Sequence, residues 1–208
     1  MDKSDVWPTI HTERAALAAD LGSLEASDWD TPSLCEGWTV RDVVAHMTGT
    51  AKISAGSFFP KLISSGFSLT KLQKKDIALL RGGSPQDTLA NFTSEINSSK
   101  HPPGPIDTWL GETVVHSEDI RRPLGIEHQY SAEALTRVAD FYKGSNLVIG
   151  TKKRIAGLQL TATDVDWSHG EGPAVSGPMA ALLMAMAGRK EAISDLSGDG
   201  VETLSSRT

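Results

Sequence analysis

Helical periodicity, interrupted by turn-forming residues, dominates the first two thirds of the chain and constrains its fold more than any other feature. Apolar side chains recur every three or four positions in six segments, at residues 8–26, 40–62, 69–80, 85–96, 107–121 and 131–142. Clusters of Gly, Pro and Ser lie between the segments, as is typical of connections. Amphipathic helices bury an apolar stripe by packing on one another, so the pattern predicts a helical bundle.

The start of the second helix has a strong local signature. Thr39 is placed to cap the helix, Asp42 occupies the third helical position, and Trp38 is spaced to pack on Val43. An apolar face then continues from Val40 toward residue 62. This signature predicts a well-defined helix N-terminus at residues 38–42.

The last third of the chain has a different pattern. Residues 154–162 alternate like a strand, and residues 164–177 are rich in Gly, Ser, Asp and Pro, which predicts a hairpin or an ordered loop. Residues 178–188 are almost wholly apolar and predict a buried helix. We therefore expect a mainly α protein: a helical bundle over residues 1–145, followed by a small C-terminal α/β segment over residues 146–208 that packs on the bundle.

Composition excludes several classes of function. The net charge is −6 and the basic side chains form no stripe that could neutralise phosphates, so we expect no nucleic-acid partner. The longest apolar run, residues 179–187, is too short to span a membrane. The single cysteine, Cys35, forbids an internal disulfide, and the first residues lack the order of a signal peptide. We expect a cytoplasmic protein with no membrane partner.

One segment carries a chemically distinctive pair. On a helix, Glu112 and His116 lie one turn apart on one face, and Trp109 and Ile120 bracket them. The apolar neighbours indicate that this face points inward, where a lone carboxylate is costly. A divalent metal is the simplest partner, because a carboxylate and an imidazole at this spacing are able to chelate one ion in a bundle core.

A third ligand is expected on another helix, and His46 is the best candidate. It follows Asp42 by one turn and is flanked by Val43 and Met47. Two histidines and one glutamate leave a coordination position open, as in catalytic zinc sites. Nickel, iron and manganese also accept these ligands. The alternatives are a Glu–His packing pair and a hydrogen-bonded core histidine, and the residues alone leave them open.

Three stretches resemble a known family. Residues 31–46, which include Gly37-Trp38-Thr39-Val40-Arg41-Asp42, are similar to the opening signature of the mycothiol-dependent maleylpyruvate isomerase family. Residues 112–125 resemble its second signature, and residues 163–172 with Gly188-Arg189 resemble its C-terminal tail. The family belongs to the DinB-like superfamily of metal-binding four-helix bundles, so the resemblance implies a DinB-like bundle.

The resemblance also implies roles for particular residues. It assigns the metal to His46, Glu112 and His116, the same triad that the helical spacing favours. It matches Arg189 to an arginine that assists with an anionic substrate. The alternative for Arg189 is a side chain that caps carbonyls at a helix end. His169 is a further candidate, reaching the metal cleft from the tail, although loop histidines are commonly solvated.

A thiol suits the open metal position, because zinc lowers the pKa of a coordinated thiol. Cys35 is a poor candidate, being more typical of a small buried filler. An external thiol is then required, and the family implies mycothiol. Its thiolate would add to a small electrophile and give a stable conjugate, as in an S-transferase, or a transient adduct, as in an isomerase.

Two other kinds of function remain open. A metal-dependent hydrolase or amidase would use the same site, and a non-enzymatic metal-supported bundle would bind a ligand. Few basic side chains lie near the expected site, so a dicarboxylate is not favoured over a neutral electrophile. Asp119 either orients His116 or pairs with Arg122, and the pairing with Arg122 is the favoured interpretation. The chain is expected to be a monomer or a homodimer.

Overall fold

The computed structural model describes residues 6–146 and 149–208. Its α-helices are α1 (Val6–Gly22), α2 (Val40–Lys52), α3 (Ala55–Ser64), α4 (Leu69–Leu80), α5 (Pro85–Thr93), α6 (Asp107–Leu124), α7 (Ala132–Tyr142), α8 (Thr151–Arg154), α9 (Met179–Met186) and α10 (Val201–Ser205). Short 3-10 helices cover Asp28–Asp30 and Lys190–Asp195. The strands are β1 (Gln159–Ala162), β2 (Ser168–His169) and β3 (Ala174–Gly177). The mainly α prediction is confirmed.

Four helices of the first compact unit, Met1–His128, share one apolar core. Helices α1 and α2 each pack on both α5 and α6. Their contact surface is formed by one cluster of buried side chains, namely Leu17, Leu21, Trp29, Val40, Val43, Val44, Met47, Phe92 and Ile120. Helix α4 packs on α2 from outside this group. The predicted four-helix arrangement thus consists of α1, α2, α5 and α6.

The predicted start of α2 is confirmed. The Thr39 hydroxyl accepts from the Asp42 backbone N–H at 3.3 Å, and the Asp42 carboxylate accepts from the Thr39 backbone N–H at 3.0 Å. Each residue thereby satisfies a donor that the helix leaves without a partner. Arg81, just after α4, donates to the same carboxylate at 2.9 Å, so the N-terminus of α2 is also tied to α4.

Replacing Thr39 with alanine is expected to cost about 1 kcal/mol of unfolding free energy, because the cap of α2 loses its acceptor. Chemical denaturation measures the change. Thr12→Ala, on the exposed side of α1, is the matched control and is expected to change stability little. Equal stability of the two variants would contradict a capping role for Thr39.

The continuous helix predicted from residue 40 to residue 62 is wrong. Helix α2 ends at Lys52, and α3 begins at Ala55 behind a second capping box. There the Ser54 hydroxyl accepts from the Ser57 N–H, and the Ser57 hydroxyl accepts from the Ser54 N–H. The two serines satisfy the new helix start, so the chain turns although the apolar pattern continues. The first helix also ends earlier than predicted, at Gly22 rather than residue 26.

Helix α6 continues through Pro123, where the sequence predicted its end. It stops at Gly125, which adopts a left-handed conformation with φ of 67°. Proline has no backbone N–H, so the carbonyl of Asp119, four residues earlier, loses its usual helical donor. The backbone N–H of Leu34 donates to this carbonyl instead, at 3.1 Å. The loop before α2 is therefore attached to α6 at the position of the proline.

The second compact unit, Gln129–Thr208, contains the small sheet. Its strand order is β2–β1–β3, with β1 antiparallel to β2 and parallel to β3. The buried helix α9 packs on α7 and on the sheet. The strand predicted from residue 154 begins only at Gln159, because residues 151–154 form helix α8.

The compact units divide after His128, since α7 packs within the second of them. The sequence pattern changes later, and the domain division at residues 145 and 146 stays a prediction. Among the described residues, none of the helices combines the length and the apolar character needed to cross a bilayer.

Candidate metal centre

The structure brings together the three residues of the predicted triad. His46 lies on α2, and Glu112 and His116 lie on α6. One potential ligand atom from each lies within 4.8 Å of the other two. His46 Nε2 and Glu112 Oε1 are 3.9 Å apart, and the two imidazole rings meet edge to face with centroids 5.0 Å apart. Two neighbouring bundle helices thus converge on one small polar site.

Buried aromatic and aliphatic side chains flank part of the triad. Trp109 and Ile120 on α6 are buried, as the sequence pattern indicated. The indole of Trp38, from the residue before the α2 cap, lies 5.1 Å from the His46 ring. Little water reaches such a site, so charges within it interact more strongly than they would at the surface.

Among the three side chains of the triad, Glu112 is the one whose burial is least compensated by hydrogen bonds. Both of its carboxylate oxygens are buried, and neither has a hydrogen-bond partner of good geometry among residues 6–146 and 149–208. Burial raises the pKa of Glu112, and the opposing charges of His116 and Arg14, with the nearby Thr50 hydroxyl, lower it only in part. An unpartnered buried carboxylate beside two imidazoles is what a divalent cation would complete. The residues present therefore fit a metal.

Asp119 and Cys35 support His116 from the other side. Asp119 Oδ2 lies 2.8 Å from His116 Nδ1 and also accepts from the Cys35 thiol, with Sγ at 3.0 Å. Cys35 Sγ lies 3.6 Å from His116 Nδ1. These three residues could also be grouped as metal ligands. The two shorter separations are those of hydrogen bonds, so the group forms a hydrogen-bonded network on the outer side of His116.

This network changes two expectations. The favoured interpretation was that Asp119 pairs with Arg122, but the structure places Asp119 against His116. Arg122 Nε donates to Glu118 at 2.8 Å. Cys35 is half-buried and hydrogen-bonded, so it is more than a filler of the core. Pro123 was the sequence signal for the placement of Cys35. Because proline has no backbone N–H, it leaves the Asp119 carbonyl free to accept from Leu34, the residue before Cys35.

The two histidines of the triad have opposite electrostatic environments. Burial, together with the neighbouring charge of His116, lowers the pKa of His46 to about 3. Burial alone would also lower the pKa of His116, but hydrogen bonds to Asp119 and Cys35 raise it to about 10. The metal-free site at neutral pH therefore holds one neutral and one charged imidazole.

In the metal-free protein we expect His46 to stay neutral and His116 to stay protonated between pH 6 and pH 8. Histidine proton NMR measures this directly, with His46→Gln and His116→Gln variants to assign the resonances. The raised pKa of His116 adds stability that is complete below about pH 6.5 and is lost as the pH rises through about 10. The lowered pKa of His46 adds stability above about pH 6.5 that is lost as the pH falls toward 3. Ordinary titration of both rings near pH 6.5 would contradict these environments.

Arg14 on α1 is a buried residue that the sequence analysis missed. It lies on the apolar face of α1 between Ile10 and Leu17, and its Nη1 donates to the Ser98 carbonyl at 2.9 Å. Its Nε has no hydrogen-bond partner in the described part of the chain. Burial lowers the pKa of Arg14, and the charge of Glu112 opposes this shift. An arginine in the middle of an apolar helical stripe was the available signal.

The two remaining site candidates lie in the second compact unit. Arg189 Nη1 donates to the Ala187 carbonyl at 3.1 Å, at the end of α9, as expected for a side chain that caps a helix. His169 lies on β2 opposite Leu160, with its ring 6.2 Å from the ring of Trp167. Roles for Arg189 in substrate binding and for His169 in cofactor binding stay predictions.

Comparison with known proteins gives independent results for sequence and fold. Residues 10–100 match the family model described as "Mycothiol maleylpyruvate isomerase N-terminal domain". No curated protein matches the chain in sequence. The fold is similar to the crystal structure of a histidine-to-alanine mutant of the mycothiol-dependent maleylpyruvate isomerase, with a TM-score of 0.67 and 14% identity over 96% of this chain and 93% of the other.

A second crystal structure, also of the mycothiol-dependent maleylpyruvate isomerase, aligns with a TM-score of 0.60 and 12% identity, again over 96% of this chain and 93% of the other. At these identities the structures establish the shared fold, and the family-model match adds a sequence similarity that is confined to residues 10–100. Residues 10–100, which contain both α2 and the capping box before His46, are thus similar to the N-terminal domain of the mycothiol-dependent maleylpyruvate isomerase family, and the chain shares the fold of these two crystal structures.

Proposed function

We propose that the protein is a divalent-metal-dependent enzyme of the cytoplasm that activates mycothiol for attack on a small electrophile. The observation that carries this proposal is the unpartnered buried carboxylate of Glu112 facing His46 and His116. Such a donor set supports zinc, and the family match supports a low-molecular-weight thiol as co-substrate. The reaction would be an isomerisation or an S-transfer.

His46, Glu112 and His116 are the residues that would hold the metal. With Nδ1 of His116 directed at Asp119, Nε2 is the nitrogen left for a metal. A zinc ion supplies positive charge that stabilises a thiolate at neutral pH. The triad contributes three ligands, which leaves room for a further one.

Residues around the triad would orient the metal ligands and determine which nucleophile reacts. Asp119 holds His116 in one orientation and accepts its Nδ1 proton in a hydrogen bond. The thiol of Cys35 is directed at Asp119, which supports an external thiol rather than Cys35 as nucleophile. Buried apolar side chains such as Trp109 and Ile120 flank the triad on α6 and limit the access of water, which supports thiol attack over hydrolysis.

The choice between isomerase and transferase depends on the fate of the adduct. In both reactions a new C–S bond forms between the thiolate sulfur and an electrophilic carbon of the substrate. In an isomerase the C–S bond breaks again after rotation about the weakened carbon–carbon bond, and the thiol is regenerated. In a transferase the C–S bond persists: in an addition the neighbouring carbon takes the electron pair of the double bond and accepts a proton, and in a substitution the attacked carbon loses a leaving group with its electron pair.

Zinc-loaded protein incubated with maleylpyruvate, or with a chlorodinitrobenzene electrophile, tests the proposal with and without mycothiol. We expect turnover that depends on mycothiol and is lost in Glu112→Gln. Glu127→Gln, an exposed glutamate outside the site, is the matched control and should retain turnover. Equal turnover without any thiol would indicate a metal-dependent hydrolase instead. Absence of turnover together with a full complement of zinc would favour a ligand-binding bundle.

A further inference from the structure

The strongly exposed large apolar side chains of the described residues are concentrated in one segment of the chain. Among the residues that the structure describes, all the strongly exposed large hydrophobic side chains lie between residues 59 and 79, namely Phe59, Ile63, Phe67, Leu69 and Leu79. Single exposed apolar residues are ordinary, whereas a concentration of them marks an interaction surface. We call residues 55–80, which form α3, the turn after it and α4, the α3–α4 face.

Helix α3 presents its apolar side chains to solvent. None of its residues is buried, and Phe59 and Ile63 lie one turn apart on the same side. The helix therefore contributes little to the core of its own unit. Phe58 and Leu62 are half-buried, whereas the exposure of Phe59 and Ile63 is not explained by packing within the described residues.

Phe67, in the turn between α3 and α4, is a further exposed aromatic residue, and its backbone conformation is unfavourable. It has φ of 60°, a left-handed conformation that is costly for a bulky residue. Its backbone N–H donates to the Leu62 carbonyl at 2.9 Å, which fixes the turn, yet its side chain is 74% exposed. The turn thus holds an aromatic ring outward without any burial that would offset the backbone cost.

The α3–α4 face is also basic, although the chain is acidic. Residues 55–80 contain four lysines and one aspartate, in a protein of net charge −6, and Lys61 pairs with Asp76 at 2.9 Å. Lys71, Lys74 and Lys75 on α4 are exposed, and none of them pairs with a carboxylate in residues 6–146 and 149–208. Lys75 donates to the Ser64 carbonyl at 2.9 Å, next to the turn. Exposed aromatic and aliphatic groups therefore lie beside uncompensated positive charge.

We propose that the α3–α4 face docks the protein peripherally on an anionic lipid surface. Apolar side chains that enter the headgroup boundary, together with lysines that contact anionic lipids, are the chemistry of interfacial helices. A symmetric dimer is disfavoured as the occupant, because it would press two copies of the same positively charged face against each other. No membrane partner was expected because the longest apolar run is too short to span a bilayer, and the length of that run does not bear on peripheral contact.

Flotation of the full-length protein with large unilamellar vesicles tests this proposal. We expect binding to vesicles of 70% phosphatidylcholine and 30% phosphatidylglycerol, and at least about tenfold weaker binding to pure phosphatidylcholine. Binding is expected to weaken at high salt, because the lysine contribution is screened. Equal partitioning into the two kinds of vesicle, or none into either, would overturn the proposal.

Two pairs of variants separate the apolar and basic contributions. Phe59→Ser with Phe67→Asn, in which asparagine tolerates the left-handed turn, is expected to reduce vesicle binding about tenfold or more. Lys71→Gln with Lys74→Gln should reduce it selectively for anionic vesicles, whereas the control Lys152→Gln with Lys153→Gln in the second unit should not. Circular dichroism and zinc content confirm that each variant is folded. A dimer in light scattering that the phenylalanine variants abolish, with vesicle binding unchanged, would assign the face to self-association and overturn the proposal.

Discussion

Replacing Glu112 with glutamine is expected to weaken zinc binding by more than about 100-fold. Loss of an outer partner of a metal ligand already costs up to about 100-fold, and here a charged ligand itself is removed. Elemental analysis of the purified variant, followed by competition with a chromophoric chelator, measures the change. Glu127→Gln removes the same charge from an exposed position and should bind zinc as the parent does.

For the stability of the metal-free protein, we expect the Glu112→Gln substitution to be neutral or favourable. In the metal-free protein, Glu112 is a buried carboxylate without a good hydrogen-bond partner, so its neutralisation should leave the free energy of unfolding unchanged or higher. The raised pKa of Glu112 gives a contribution that is favourable at low pH and is lost as the pH rises through that pKa. The advantage of the variant should therefore grow from pH 4 to pH 7. A less stable metal-free variant would indicate that Glu112 supports the fold rather than a metal.

Replacing Phe92 with alanine is expected to destabilise the protein by about 3–5 kcal/mol. Phe92 of α5 is fully buried in the cluster that joins α1, α2, α5 and α6, so its removal leaves a cavity where the four helices meet. For a chain of this length the loss corresponds to a fall in Tm of roughly 10 °C. Thermal and chemical denaturation of the metal-free protein measure it.

Phe59 on α3 offers the matched control for this substitution. Its side chain is 58% exposed, so Phe59→Ala should change the free energy of unfolding by about 0.5 kcal/mol or less. The contrast between the two phenylalanines tests whether the cluster around Phe92 is the core of the bundle. Similar losses at both positions would show that α3 is buried in solution.

Much of the first compact unit could be predicted from sequence because its signals are local. The capping box at Thr39 and Asp42 fixes where α2 begins, and helical spacing places Glu112 and His116 on one face. The proximity of His46 to that pair followed from its apolar flanks and from the family resemblance. All three residues lie within one small site.

The features that sequence reasoning missed depend on long-range contacts or on weak local signals. Arg14 became part of the site only because α1 packs on α6, which helical spacing does not specify. The break between α2 and α3 depends on a Ser54–Ser57 box, which lacks the glutamate or glutamine of the common pattern. The contact of Cys35 with Asp119 joins residues 84 positions apart, and spacing along the chain does not reveal such a pair.

Pro123 has a consequence beyond the shape of its own helix. A residue with an N–H at this position would offer the Asp119 carbonyl a donor from within α6, in competition with the N–H of Leu34. The imino acid removes that competitor, so the loop that carries Cys35 has an acceptor reserved for it. The loop is attached to α6 through the Asp119 carbonyl, which has no donor within the helix because Pro123 lacks a backbone N–H. The position of a single proline thereby helps to place the Cys35 thiol behind the imidazole of His116.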